Sequence, residues 1–315
     1  MLVRYAPFPI EIGLHNNDED MKKKSLKPVE GRQEPFSNFV KELAERFTPL
    51  HILKFGEINS IKNSCTSFSP QQTSSNFHYY LLMVIEGTTR IEHGVQDYVN
   101  THFNHGKITI LVHSKESIDT AIDANNRFFI TVFNTGIQLY SHDGTLNLFP
   151  EYILDKKISL EKARKHLYHR IPMAQGFLDG AGECFSNEKF NVCVFMLHQV
   201  VEQSCIAMIR VFMAYRSDIH HLGRLLDICA CFSEQPRELL LGTPENRRLF
   251  EKLMNSYSHA RYKDNFNVEM GDADKLYSLV HQFLILAKDL CDKKIDLLTA
   301  ECEEAKASKG ETENG

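Results

Sequence analysis

The 315-residue sequence lacks several features that would place it in a class at once. It has no run of 18 apolar residues, so we expect no membrane-spanning helix. Residues 1–13 lack a basic flank followed by an apolar core, so we expect no secretory signal. Tryptophan is absent, yet with 43% hydrophobic and 24% charged residues the chain is too apolar for a disordered protein.

An excess of basic residues is also missing. The formal net charge is −5, which argues against a dedicated nucleic-acid coat, and we expect no DNA partner. The charge is unevenly spread, with a net −3 over residues 35–154 and +1 over residues 155–300. A site for an anion must therefore be a local cluster.

The eight cysteines contain no C-x-x-C pair, which removes the main support for a zinc ribbon or a thioredoxin site. Cys229-Ala-Cys231, with His220-His221 upstream, can be read as a metal cluster. Helix packing explains the same residues more simply, and we predict no metal site. Free cysteines inside apolar helical patterns favour a reducing cytosol, so we expect a cytoplasmic protein.

The pattern divides the chain into an irregular arm (1–34), a mixed α/β part (35–154), a helical part (155–300) and a disordered tail (301–315). The fold class is thus α+β in two domains, a mixed sheet with packed helices followed by an all-α up-and-down bundle. Apolar runs and turn signals predict strands at 51–58, 79–85, 108–112, 128–133 and 137–140, the last two as a hairpin, with a polar loop at 59–76.

The segment Phe190–Met213 is apolar nearly all round, which predicts a buried central helix. Its polar exceptions include His198 and Glu202, which are four residues apart and share a face. A buried carboxylate usually needs a cation. Arg261, flanked by Tyr257 and Tyr262, can pair with Glu202 or hold a phosphate beside a stacked base, and both readings stay open.

These residues carry a resemblance to a known family. The pieces Phe177-Leu178-x-x-Ala181, Phe195-x-x-His198-Gln199-x-x-Glu202 and Tyr257-x-x-x-Arg261-Tyr262-x-Asp264 follow one another as in the HEPN domain, with Lys263 in place of the family's proline. The family is named for nucleotide binding. The resemblance implies a ligand site of Arg261, Tyr257, Tyr262, Glu202 and His198, a nucleotide or RNA as ligand, and a homodimer through this domain.

HEPN domains often follow a minimal nucleotidyltransferase domain, and residues 35–154 resemble one in place and size. Active members of that family have a Gly-Ser loop after the first strand and an Asp-x-Asp pair on the next. Here Gly56-Glu57-Ile58-Asn59-Ser60 stands at the first position, and the strand at 79–85 has no carboxylate. The carboxylates that would hold Mg²⁺ are missing, so we predict an inactive domain.

HEPN ribonucleases use an arginine followed after four to six residues by a histidine. After Arg261 the required positions 266–268 are Phe, Asn and Val. Arg164-x4-His169 and Arg216-x4-His221 match the pattern but fall in other elements. His259 stands two residues before Arg261, and either His259 or His198 can take the place of the missing histidine across a dimer, so the catalytic candidates are His198, His259 and Arg261.

We therefore expect an inactive transferase-like domain joined to a HEPN domain that binds a nucleotide, an RNA or a protein. The alternative is a dimeric HEPN ribonuclease of the toxin or defence type, as in two-gene toxin–antitoxin systems. An active nucleotidyltransferase that uses Glu57 and Glu86 is the third reading.

Overall fold

The computed structural model describes residues 34–66, 69–87, 90–145, 149–262 and 267–312, with backbone alone at 61–66, 69–75, 258–262 and 306–312. The predicted arm at 1–33 lies outside the described residues. The described chain begins with a mixed α/β part and ends with a helical part, so the α+β class is confirmed.

The α/β part is built on a four-stranded mixed sheet. Its elements are α1 (Glu34–Phe47), β1 (His51–Thr66), β2 (Ser69–Ile85), α2 (Glu92–His102), β3 (Lys107–Ser114), α3 (Lys115–Asp123), α4 (Arg127–Thr135) and β4 (Ile137–Ser141). The strand order is β3-β2-β1-β4. The β2–β3 pair is parallel, and β1 is antiparallel to both β2 and β4.

The predicted polar loop at 59–76 is wrong. The β1–β2 ladder continues through this segment, from Asn59 opposite Phe77 to Thr66 opposite Ser69. A ladder is made by backbone hydrogen bonds, so a serine- and threonine-rich segment can extend it without any apolar pattern. The polar side chains of this segment predict a loop, but the backbone forms two paired strands.

The predicted strand at 128–133 is also wrong, because this segment is helix α4. The side chain of Asn126 caps the helix and accepts a hydrogen bond from the backbone N–H of Phe128 at 3.0 Å. Phe128, Phe129 and Val132 are buried on the helix side that meets the core. Burial of this face outweighs the β propensity of the aromatic run, and β4 pairs with β1 instead of forming the expected hairpin.

Both faces of the sheet are covered. Tyr79, Leu81 and Met83 of β2 face a cluster formed with α1 and α2. Leu82 and Val84 alternate with them and join a larger cluster that contains α4 and the helical part. The seven residues 79–85 are all buried, as a continuous apolar strand predicts.

The helical part packs around one buried helix. Its elements are α5 (Lys156–Ser186), α6 (Phe190–Met213), α7 (Leu222–Cys229), α8 (Gln235–Leu241), α9 (Pro244–Tyr262) and α10 (Met270–Thr312). The bounds of α6 are those predicted from the sequence. The backbone of α10 stays helical to Thr312, which differs from the disordered tail expected from residue 301 onward.

Helix α6 is long and apolar enough to cross a membrane by length and composition, with a mean hydropathy of 1.6 over its best window. However, 78% of that window is buried inside the protein. Helices α5, α7, α9 and α10 all contact α6. Its hydrophobicity is therefore accounted for by packing in the core.

The two parts meet through α4 and the end of α6. The guanidinium of Arg127, at the start of α4, donates to the carbonyl oxygens of Val211 and Phe212. These carbonyls belong to the last turn of α6, where backbone acceptors have no partner within the helix. Nearby, Nε2 of His113 lies 2.9 Å from the hydroxyl of the buried Tyr215. Burial lowers the pKa of His113 to about 4, so the ring is neutral at pH 7.

Replacement of Arg127 tests this junction. We expect Arg127→Met to lower the free energy of unfolding by about 2 kcal/mol, because two charge-assisted hydrogen bonds to α6 are lost. Urea denaturation measures the change. Arg164→Met is the matched control, since Arg164 is exposed and donates one hydrogen bond, to Thr299 at 3.0 Å. Equal losses in the two variants would contradict the role of Arg127.

Acid stability depends on Asp272 near the start of α10. Arg248 donates to both carboxylate oxygens at 2.7 and 2.9 Å, and Lys252 donates a further hydrogen bond. These contacts hold the pKa of Asp272 well below its ordinary value. A depressed folded-state pKa stabilises the protein above about pH 5 and loses that contribution as the pH falls.

We expect Asp272→Asn to cost about 1–2 kcal/mol at pH 7 and less at pH 3, where the wild-type contribution is partly lost. Denaturation at both pH values measures the difference in unfolding free energy between wild type and Asp272→Asn. Asp292→Asn, which breaks an exposed pair with Lys288, is the control and should change little. A difference of equal size at pH 7 and pH 3 would refute the role of the ionised Asp272 carboxylate.

Candidate functional site

The polar exceptions of α6 lie in its buried middle. His198 and Glu202 are 2% and 4% exposed, and Nδ1 of His198 is 3.8 Å from Oε2 of Glu202. Their spacing of four residues places them on one face, as the sequence predicts. A carboxylate at this depth is costly unless charged or polar groups surround it.

Glu202 has a second and closer partner in His220, a residue that the sequence placed only in the possible metal cluster. Nδ1 of His220 is 3.0 Å from Oε1 of Glu202. Because a carboxylate can only accept, Nδ1 carries the proton and donates. The side chain of His220 is 62% exposed, so a buried carboxylate holds an imidazole that reaches the surface.

The local sequence explains how His220 reaches this position. The next residue, His221, caps α7, and its Nδ1 accepts a hydrogen bond from the backbone N–H of Arg224 at 3.3 Å. The cap fixes the chain entering α7, which begins at Leu222. The sequence signal that could have identified His220 is the histidine doublet directly before an apolar helical pattern. One histidine of the doublet caps the helix, and the other is directed toward α6.

Tyr257 on α9 completes the cluster. Its ring stacks against His198, with 4.9 Å between centroids and 27° between planes. It is also nearly parallel to the ring of His220, at 6.4 Å and 7°. The structure thus brings together three predicted site residues, His198, Glu202 and Tyr257, and adds His220. We call these four residues the α6 site.

Three other predicted residues have side chains outside the described part of the chain. The backbone of α9 is helical to Tyr262, so positions 257 and 261 are one turn apart. The side chains of His259, Arg261 and Tyr262 are not among those described. A pairing of Arg261 with Glu202, and a contact of Arg261 with a phosphate, stay predictions.

The arrangement sets what the α6 site can do chemically. Glu202 orients the His220 ring and leaves Nε2 of that ring for a ligand. Tyr257 supplies an aromatic face, on which a nucleic-acid base can stack. His198, in contrast, is too deeply buried to reach a large substrate without rearrangement. A candidate catalytic role for His198 therefore receives no support from its position.

The described residues of the α/β part do not bring together the carboxylates that the sequence offers for a transferase. Gly56 lies inside β1, next to an irregularity in the ladder, and not in a loop at a strand end. Glu57 is opposite Tyr79 and its carboxylate is 2.6 Å from Nζ of Lys54. Glu86 directly follows β2, seven residues beyond Tyr79, so at the rise of a strand it lies roughly 20 Å from Glu57. The two carboxylates cannot share a metal ion, and the reading of an active transferase is wrong on this point.

The other arginine–histidine matches have structural roles. Arg164 donates to Thr299 on α10, and Arg216 lies 3.5 Å from Asp218. His221 caps α7, as described above. Cys229, from the possible metal cluster, points its thiol toward the carbonyl oxygen of Cys205 at 3.9 Å. These contacts give Arg164, Arg216, His221 and Cys229 structural partners among the described residues.

Comparison with known proteins agrees with the helical part of this description. No curated protein matches the chain. No family match covers the α/β part. Residues 168–290 match the family model of the HEPN domain, a range that runs from α5 into α10 and includes all four residues of the α6 site. The helical part of this chain thus contains a HEPN domain.

Proposed function

We propose that the HEPN domain binds a nucleotide, free or within single-stranded RNA, at the α6 site, and that the chain is not an enzyme. The observation that carries the proposal is the pair of nearly parallel rings of Tyr257 and His220 beside the buried Glu202. Aromatic faces stack on bases regardless of sequence, and imidazole nitrogens can hydrogen-bond to their edges.

Preorganisation supports this reading. His220 is exposed, yet Glu202 fixes one of its two nitrogens at 3.0 Å. A side chain that is already ordered costs less conformational entropy when a ligand binds. The resemblance to the family adds Arg261, one turn beyond Tyr257, as a contact for the phosphate, and Tyr262 as a second aromatic residue.

The α/β part is proposed to be an inactive relative of the minimal nucleotidyltransferases. A mixed sheet with helices on both faces is compatible with that relationship. The buried strand β2 has no carboxylate at residues 79–85, and Gly56 lies within β1. In this proposal the part serves as a packed support for the HEPN domain and transfers no nucleotide.

Oligomeric state and location belong to the same proposal. We infer a homodimer through the HEPN domain, from the resemblance, and a place of action in the reducing cytosol. The seven cysteines among the described residues are all free thiols, and burial raises the pKa values of Cys231 and Cys291 to about 12, which keeps both thiols protonated. Buried thiols of this kind are inert packing residues.

A second candidate is the dimeric HEPN ribonuclease, and one observation favours it. An exposed imidazole oriented by a buried carboxylate is the arrangement of a general acid–base pair. His220 with Glu202 has this form, whereas His198 is buried. In this reading His220 would act with Arg261 on the 2′-hydroxyl and phosphate of RNA.

Ligand titrations of a tyrosine variant test the binding proposal. We expect wild-type protein to bind ATP, GTP or a 12-nucleotide single-stranded RNA, and Tyr257→Leu to weaken that binding about tenfold or more, because a stacking face is lost. Tyr152→Leu is the matched control, since Tyr152 is a half-buried tyrosine with an edge contact to Phe133 at 6.1 Å. Calorimetry gives the affinities, and unfolding curves confirm that each variant is folded.

The same proteins distinguish the two candidates. Binding without any cleavage of the RNA supports the binding module. Cleavage that His220→Gln or Arg261→Ala abolishes identifies the ribonuclease and overturns the non-enzymatic proposal. Binding of no nucleotide or RNA, or equal affinities of wild type and Tyr257→Leu, refutes the α6 site as the place of binding.

A further inference from the structure

A second polar cluster lies where α5 packs on α6, away from the α6 site. Nη1 of Arg170 donates to Oε1 of Gln203 at 2.5 Å. One turn earlier on α5, Nε2 of His166 lies 3.5 Å from Nη1 of Arg210. Gln203 and Arg210 are seven residues apart, so they share a face of α6. We call His166, Arg170, Gln203 and Arg210 the basic cluster.

The charge around the basic cluster is not balanced. Lys165 and Arg216 are its further cationic neighbours. The acidic neighbour, Asp218, is 3.5 Å from Arg216 and 4.0 Å from Arg90, which compete for it. Within the described part of the chain, no carboxylate oxygen lies within 4.0 Å of Arg170 or Arg210.

The two arginines also have unused donors. The Nε atoms of Arg170 and Arg210 are buried and have no acceptor among the described residues. Buried N–H donors in folded proteins are normally paired, because an unsatisfied charged donor is expensive. Burial, followed by the neighbouring Arg170 and Arg216, lowers the pKa of Arg210 from its ordinary value. The cluster therefore retains a positive charge that the described protein does not neutralise.

Hydrogen bonding inside the cluster consumes its acceptors. Burial, and then Arg210 and Arg170, lower the pKa of His166 to about 4, so its ring is neutral at pH 7. Arginine can only donate, so Nε2 of His166 accepts from Arg210 and the ring proton is on Nδ1. Oε1 of Gln203 accepts from Arg170, which leaves the amide N–H₂ of Gln203. Apart from the second lone pair of Oε1 of Gln203, the remaining polar groups of all four side chains are donors.

We propose that the basic cluster binds a phosphate group. A phosphate supplies acceptor oxygens and negative charge, which are the two things that the cluster lacks. Guanidinium groups present two parallel N–H donors to phosphate oxygens and bind them more specifically than a point charge does. Both Nε atoms are closed off, so the ligand meets the Nη groups of Arg170 and Arg210 and neutralises the charge of the cluster without pairing the Nε donors.

This inference does not rest on the proposed function, because the cluster uses other residues and another helix pair. Glu202 and Gln203 are neighbours in sequence, yet Glu202 contacts His220 and Gln203 contacts Arg170. A phosphomonoester of a small molecule and the backbone of an RNA both present this group. The chemistry recognised is the same, and the experiment separates the two sources.

Calorimetric titration with inorganic phosphate tests the cluster, with chloride at equal ionic strength as the reference. We expect wild-type protein to bind phosphate, and Arg170→Gln and Arg210→Gln each to weaken binding at least tenfold, because a bidentate charged donor is lost. Arg46→Gln is the matched control, an exposed arginine on α1 that packs on the ring of Tyr98. Its affinity should equal that of wild type, as should that of Tyr257→Leu.

Two further titrations name the source of the phosphate. The first uses adenosine monophosphate and the second uses a 12-nucleotide RNA with a free 5′-hydroxyl, each in competition with inorganic phosphate. If adenosine monophosphate competes and the RNA does not, the ligand is a phosphomonoester. Competition by that RNA, lost in Arg170→Gln, indicates backbone phosphates. Arg170→Lys keeps the positive charge but loses the paired N–H donors of the guanidinium, so its affinity for phosphate should fall between those of wild type and Arg170→Gln. If Arg170→Gln fails to fold, Arg170→Lys takes its place in the comparison. No phosphate binding to wild type, or unchanged binding in the arginine variants, overturns the proposal.

Discussion

The burial of α6 is the constraint on which the rest of the structure depends. This helix is apolar on nearly every side, so it must be covered on every side. Helices α5, α7, α9 and α10 cover it, and α4 with one face of the sheet extends the same cluster. Each buried leucine, isoleucine or valine contributes about 1.5–3 kcal/mol relative to exposure. No surrounding helix can leave without exposing part of this surface.

The same constraint explains where chemistry is found. A helix that is buried all round can tolerate a polar residue only where a neighbour supplies a partner. Glu202 finds His220 in the chain before α7, and Gln203 finds Arg170 on α5. Adjacent polar residues on α6 thus contact different neighbours, the chain before α7 and helix α5. The two ligand sites that we infer lie at these two interruptions of the apolar surface.

The bounds of α6 and the burial of β2 could be read from the sequence because both depend on long apolar runs. The pairing of His198 with Glu202 on one face followed from helical spacing. Helix α4 could not be read in this way, because Phe128–Phe133 fits a strand until the core of the helical part is present. His220 was missed as a site residue for a similar reason. Its role depends on a chain reversal between α6 and α7 that brings it back to Glu202, and no local pattern records that contact.

The α/β part illustrates how packing limits function. Helices α1 and α2 cover one face of its sheet, and α4 with the helical part covers the other. Arg127 ties α4 to the last turn of α6, and Tyr215 lies buried against His113 and Phe128. Within the described residues, packed hydrophobic clusters therefore lie on both faces of this sheet. Because one hydrophobic cluster continues from β2 into α10, the α/β part and the helical part bury apolar surface against each other, and this burial is favourable whether or not the α/β part binds a ligand of its own.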